Sequence, residues 1–282
     1  VMGIDRNHCT IGETEHPFTI NFSRDDVRIT THYHADMVAS SLFSVIHEGG
    51  HALYELHTGR ELARSNLGTG VSMGIHESQS RFYENIIGRS RAFCSIIYPW
   101  LKEHFAPRLD HVTEDDFYRM INKSEPSLIR TEADELTYCL HIMVRYELEK
   151  RMFDGSLTAH DLPAEWNRLY KEYLGIDVPD DRQGVLQDSH WANGNIGYFP
   201  SYAIGSAYGA QYLQEMSRDL DVDAVVRSGD LTPINNWLED RIWKHGCMKD
   251  PVALFESVCG KFDPACYVAY LEKKFTEVYG LS

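Results

Sequence analysis

DMVASSLFSVIHEGGHALYELH, running from Asp36 to His57, carries apolar residues at Val38, Leu42, Val45, Ile46, Leu53 and Leu56, close to the spacing of an amphipathic helix. Gly59 follows as a natural stop. Inside the stretch, His47-Glu48-Gly49-Gly50-His51 forms an HExxH pattern. A separation of four stacks the two imidazoles one turn apart on one face, where both reach a single ion. Glu48 then stands beside the open coordination position, where a water molecule would sit. The bare pattern also arises by chance, so its context matters: apolar flanks predict a buried helix, whereas a chance match usually falls on a solvated face. Gly49 and Gly50 each cost about 1 kcal/mol of helix propensity relative to alanine. Close approach of a second backbone or a substrate accounts for them, and so does tight helix packing.

Upstream, Pro17 to His34 alternates in the manner of strands. Phe18, Ile20 and Phe22 share one face, Val27 and Ile29 share a face of a second run, and polar Ser23-Arg24-Asp25 makes the turn of a β-hairpin. Downstream, helical patterns cover Ile75–Ser90, Thr113–Lys123, Ser127–Phe153 (closed by Gly155) and Leu162–Leu174. They continue over Ser201–Arg218, Pro233–His245, Pro251–Cys259 and Pro264–Tyr279. The predicted fold is therefore all-α, a mainly helical body with one small β-hairpin or sheet near the N-terminus. No repeat, low-complexity tract or linker divides residues 1–282, which read as a single helical catalytic domain or a fragment of one.

Composition narrows the function. The 282 residues hold 27 lysines and arginines against 42 aspartates and glutamates, a formal net charge of −15. Such a surface repels phosphates, which argues against a nucleic-acid partner. The longest nearly apolar stretch, Val38 to Ile46, is interrupted by serines and far too short to cross a bilayer, so no membrane association is expected. No basic run followed by an apolar one opens the chain. The six cysteines are scattered without a CxxC pair and read as reduced cytosolic thiols. Fourteen histidines are many, and several cluster between His32 and His76.

Two histidines do not complete a metal site. A carboxylate from a second element would give a His-His-Glu set, and Glu77 in His76-Glu77-Ser78-Gln79 is the best placed. The competing reading is an acidic residue in a first helical turn, favoured there by the dipole. Glu55, one turn after His51, is a weaker competitor because it continues the same helix. In Asp26-Val27-Arg28-Ile29-Thr30 the strand period puts Arg28 on the polar face, where an arginine suits a substrate carboxylate but equally suits plain solvation. Arg130 has Asp134 at i+4, so an intrahelical ion pair is its bland reading. Gly184 to Trp191, followed by Gly197 to Tyr202 and a small-residue helix through Gly205, Ala207 and Gly209, is loop-like and rich in functional side chains. A His or Tyr donor there suits an oxyanion, and tyrosines near glycines equally suit buried packing.

Taken together, the motifs resemble the thermostable carboxypeptidase Taq family of metallocarboxypeptidases. The signatures run in order: His16-Pro17-Phe18 (HPF), Asp26 to Thr30 (DxRxT), His47 to His51 (HExxH), His76 to Gln79 (HESQ), Ile129 to Asp134 (IRxxAD) and Gly184 to Trp191 (GxxQDxHW). The resemblance implies His47, His51 and Glu77 as metal ligands, Glu48 as catalytic base, and zinc as the ion, with cobalt an alternative. It implies that Arg28 and Arg130 grip a substrate's C-terminal carboxylate, with His16 and Gln187 among the groove-lining residues; the residue types after Gly184 add Tyr202 as a further substrate contact and His190 or Tyr198 as donors to the oxyanion. The expected activity is removal of C-terminal residues from peptides by a metallocarboxypeptidase, cytoplasmic and homodimeric in its full-length form. Members of the family are longer. The resemblance thus marks this chain as the C-terminal, metal-bearing portion, without a helical N-terminal part that forms one wall of the groove. A zinc endopeptidase or oligopeptidase, or a metal-binding fragment inactive without that wall, are the alternatives it leaves.

Overall fold

Three strands open the chain in the computed structural model, which describes residues 1–281. Strands β1 (Cys9–Glu13), β2 (Thr19–Ser23) and β3 (Asp26–Thr31) form a sheet in the order β1-β3-β2. β1 runs parallel to β3, and β2 pairs antiparallel with it, Ile20 opposite Arg28. The hairpin is the one the alternation predicts. β1 is the addition: it offers only Cys9 and Ile11 as an apolar face and is held by a partner far along the chain. Val27 and Ile29 bury against Ala52 and Leu56 of helix α1 (Val38–Leu56), with Cys9 beside them. The other side of β2 is unexpected. Phe18, Ile20 and Phe22 are exposed, and it is polar Thr19 and Asn21 that turn toward α1.

Helix α2 (Met73–Arg81) continues without a break into a π-helical turn at Phe82–Ile87. Then come α3 (Arg91–His104), α4 (Glu114–Ile121), α5 (Tyr138–Phe153) and α6 (Leu162–Leu174). The series ends with α7 (Pro200–Met216), α8 (Val222–Ser228), α9 (Thr232–Arg241), α10 (Pro251–Cys259) and α11 (Ala265–Tyr279). The predicted helical fold class is what the chain adopts. Two departures have physical causes. α3 carries Pro99 inside it, which reads as a breaker, yet Phe93, Cys94, Tyr98 and Leu101 are buried and pack with Phe117 and Tyr118 of α4. The helix expected over Ser127–Phe153 begins only at Tyr138, because Asp134 accepts from the backbone N–H of Leu136 and Thr137 and from the Thr137 hydroxyl. A carboxylate that captures backbone donors in this way makes a turn rather than a helix interior.

The chain forms two compact units, one built from Val1–Ile121 and the chain from Gly205 onward, the other from Asn122–Ile204. The first has a core that includes Leu53, Tyr54, Phe82, Tyr83, Tyr212, Trp243 and Phe255. The second packs Val144 and Leu148 of α5 against Trp166, Leu169 and Tyr170 of α6. No helix among the described residues is long and apolar enough to cross a membrane.

Candidate metal centre

His47 and His51 lie one turn apart on α1, and Glu77 on α2 faces both. Its two carboxylate oxygens stand 3.8 Å from His47 Nε2 and 3.8 Å from His51 Nε2. One ligand atom from each of the three lies within 4.8 Å of the others, and this is the one such group among the described residues. Two neutral imidazole nitrogens and a carboxylate oxygen form the donor set that suits zinc in a site keeping one position open. Glu55, the competing carboxylate, is not among them.

The helices come this close because of glycines. An added Cβ at Gly50 of α1 would lie 2.7 Å from the Gln79 carbonyl oxygen and 2.7 Å from Ser80 Cα, so α1 and α2 touch backbone to backbone. At Gly205 of α7 it would lie 2.5 Å from Glu77 Cβ and 2.8 Å from the Glu77 carbonyl carbon. Tight helix packing is thus the use of Gly50, while Gly49 receives the side chain of Met2. Gly205→Ala is expected to cost about 1–3 kcal/mol through overpacking against atoms that cannot yield, and to loosen metal binding by displacing Glu77. At Gly209, one turn on, an added Cβ meets nothing nearer than 3.5 Å. Gly209→Ala is therefore expected to be neutral or mildly stabilising. Thermal midpoints and chelator-competed zinc dissociation constants of the two variants check the contrast.

The outer ring nitrogens of both histidines are also held. His47 Nδ1 is 2.8 Å from Glu84 Oε2, the carboxylate delivered by the π-helical turn. Burial alone would raise the Glu84 carboxyl, but Arg81, His47 and Arg89 hold it well below the usual carboxylate range. Burial would lower His47, and the Glu84 hydrogen bond with nearby carboxylates outweighs that and raises it. His51, buried beside His47, His76 and Arg81, is pushed well down, the direction that favours the neutral ligand form. His51 Nδ1 lies 3.1 Å from His76 Nδ1.

Glu48 is buried, and its Oε2 accepts from the Thr19 hydroxyl at 2.5 Å. Burial pushes its carboxyl up, while His47 and the Thr19 hydrogen bond oppose the rise; the charges of Glu77 and His16 also reach it. His16 itself is exposed at the bend before β2, its Nδ1 2.8 Å from the Pro17 carbonyl. Arg28 is exposed on β3, paired through Nε and Nη2 with the two Asp26 oxygens at 2.9 Å each.

The remaining expected site residues belong to the second unit. Arg130 pairs not with Asp134 but with Asp188: its Nε and Nη2 donate to Asp188 Oδ1 at 3.0 and 2.8 Å, and Nη1 donates to Tyr138 at 2.9 Å. Arg145, fully buried, takes the other Asp188 oxygen. Gln187 Oε1 accepts from the Arg130 backbone N–H and from Arg145 Nη2, each at 2.9 Å. Arg130, offered above to a substrate carboxylate, thus directs its donors into the fold. His190 Nε2 lies 3.1 Å from the Tyr202 hydroxyl, with the Tyr198 ring 5.3 Å away. Arg145, Thr19 and Asn21 carry no signal in the sequence that marks them for the site. Glu84 carried a signal, since it falls on the same polar face of the helix as Glu77.

Buried His141, with Nδ1 3.1 Å from the Tyr170 hydroxyl, is lowered to about 3 by burial and then by Arg145 and Arg130. Unfolding returns it to about 6.5, so the unfolded chain binds the extra proton between those values. Its contribution to stability is complete above about pH 6.5 and fades as pH falls toward 3. Asp188, held low by both arginines against its burial, acts in the same sense below about pH 4. Unfolding midpoints are expected to fall from pH 7 to pH 5, and His141→Phe should flatten that slope.

Comparison with known proteins places this geometry in context. The family model for the carboxypeptidase Taq (M32) metallopeptidases matches residues 1–275. The chain is 44% identical over 280 residues to carboxypeptidase 1 of Bacillus subtilis, covering 99% of this chain and 56% of that protein. It is 43% identical to thermostable carboxypeptidase 1 of Thermus thermophilus, covering 99% and 55%. The crystal structure of an M32 carboxypeptidase from Deinococcus radiodurans superposes with a TM-score of 0.96 at 39% identity, over 99% of this chain and 57% of that one. The chain therefore spans about half the length of the relatives it matches.

Proposed function

The chain belongs to the carboxypeptidase Taq (M32) metallopeptidase family, and from that premise we propose that it hydrolyses the last peptide bond of peptides with a free C-terminal carboxylate. The observation that carries the reading is the convergence of His47, His51 and Glu77 within 4.8 Å, next to a buried Glu48. A divalent ion, zinc in this reading with cobalt as a substitute, supplies Lewis acidity there and lowers the pKa of water toward about 7. Glu48 is the general base. Thr19 holds its Oε2, so the proton taken from the attacking water is carried at Oε1 and returned to the leaving amine. Arg28 offers the exposed cation for the substrate carboxylate, near His16 in the sequence motifs that accompany it. Arg130, through Asp188 and Gln187, keeps the Gln187–His190 loop in shape. In the same reading His190 and Tyr198 donate to the developing oxyanion, with Gln187 and Tyr202 as substrate-lining residues. A cytoplasmic setting and a homodimeric full-length form complete it.

The test is a C-terminal ladder assay on the zinc-loaded chain. Stepwise loss of C-terminal residues from a free-carboxylate peptide is expected, with its amidated twin spared and activity lost on chelation. Equal cleavage of both peptides, or internal cuts, would assign an endopeptidase. No cleavage by a chain shown to hold zinc would reject the activity.

A further inference from the structure

Glu55 and His76 are left over from the ligand set, yet they connect to it. His76 Nε2 lies 2.7 Å from Glu55 Oε1, and His76 Nδ1 lies 3.1 Å from His51 Nδ1. Glu55 also accepts from Asn21 Nδ2 at 2.7 Å, the Thr69 hydroxyl at 2.8 Å and the Gly70 N–H at 3.0 Å. Donors therefore surround the carboxyl, and it is buried. A protonated carboxyl would set its own hydrogen against them, so Glu55 is an acceptor on both oxygens. The His76 ring is fixed as well, packed 4.8 Å from the Tyr54 ring. At Gly70 an added Cβ would lie 2.8 Å from His76 Cδ2.

The hydrogens along this chain can be placed by elimination. The facing Nδ1 atoms of His51 and His76 share one hydrogen, since two would clash and none would repel. If His76 donated it, His51 would carry its own hydrogen on Nε2, pointing at Glu77 with no lone pair for an ion. A neutral His76 would then also turn a bare Nε2 toward a carboxylate. If His51 donates, every position is satisfied. His51 Nε2 is bare, His76 accepts at Nδ1, and His76 Nε2–H donates to Glu55.

We propose that Glu55 and His76 form an outer link to the metal centre, positioning residues that hold His51 in the tautomer offering Nε2 to the ion. The carboxylate stands two hydrogen bonds from the ligand and makes His51 a stronger donor, as partners outside the ligand set do. The proposal rests on the metal-site reading above, and its test separates the two.

Zinc dissociation constants by chelator competition should weaken about 10–100-fold in Glu55→Gln and in His76→Phe, which keeps the ring packed on Tyr54. Thr69→Val removes a different donor to the same carboxylate and should leave zinc affinity close to that of the parent. In the zinc-loaded parent, side-chain 1H–15N correlation spectra should show His76 protonated on Nε2 and bare on Nδ1. His76 protonated on Nδ1, or Glu55→Gln with parental zinc affinity, would overturn the link while leaving the site intact. A parent chain that takes up no zinc would overturn the site itself, and the link with it. The spectra need no variant, so a His76→Phe chain that fails to fold does not decide the matter.

Discussion

Glu48→Gln is expected to lower kcat on a free-carboxylate peptide by about 10²–10⁴, the usual worth of a positioned general base. Metal content and KM should stay near those of the parent. Glutamine has the same shape, and its amide oxygen still accepts the Thr19 hydrogen bond, so the helix and its two histidines have no cause to move. Glu48 supplies none of the three ligand atoms that lie within 4.8 Å of one another. What is removed is the ability to take a proton from water and return it. Steady-state kinetics with zinc stoichiometry on the same preparation check this. Near-parental kcat would place the base elsewhere, and loss of zinc would show Glu48 to be part of the binding site.

Asp188→Asn is expected to cost about 3–5 kcal/mol of stability, the penalty for leaving buried charge uncompensated. One carboxylate here answers two guanidinium groups, Arg130 and Arg145, with side-chain exposures of 6% and 0%. Arg145 also lies over the Trp166 ring and Arg130 over the Tyr202 ring, so neither can swing out to water without abandoning packed aromatic surface. In a unit of this size the unfolding midpoint should drop by more than about 10 °C. Adding Arg145→Met to Asp188→Asn should recover part of the loss, because one stranded charge goes with it. Calorimetry of the single and double variants measures both effects. A single variant as stable as the parent would mean that the two arginines reach solvent.

The motif-bearing helix and the hairpin were legible in the sequence because each writes its period locally, over Asp36–His57 and Pro17–His34. Glu77 was legible as a candidate, since spacing placed it on a polar helix face, and only folding could bring that face to His47 and His51. The illegible parts depend on distant partners. Alternation correctly grouped Phe18, Ile20 and Phe22, but not which way they face. Buried Glu48 and Glu55 reverse the expected choice by drawing Thr19 and Asn21 inward. The motifs offer Arg130 to a substrate carboxylate and its spacing offers Asp134 as the plain alternative partner, whereas Asp134 holds a turn and Asp188, far along the chain, pairs with the guanidinium. The helix over Arg91–His104 is missing from the local patterns, and Pro99 lies inside it with Phe93, Cys94, Tyr98 and Leu101 buried.

The first unit is also split in sequence, and that sets an order of assembly during synthesis. The sheet, α1 and α2, with both histidines and Glu77, leave the ribosome before the inserted segment. The side chains that lock them arrive much later: Trp243 donates to Gln79 at 2.8 Å, Tyr83 donates to Asn235 at 2.5 Å, and Asn235 holds the Met2 carbonyl at 2.8 Å. Asn122–Ile204 is continuous and needs no such wait. The inserted segment can therefore fold while the metal-bearing half is still an open template. That half closes only when a contact of very long sequence separation is made, the step such topologies complete slowest.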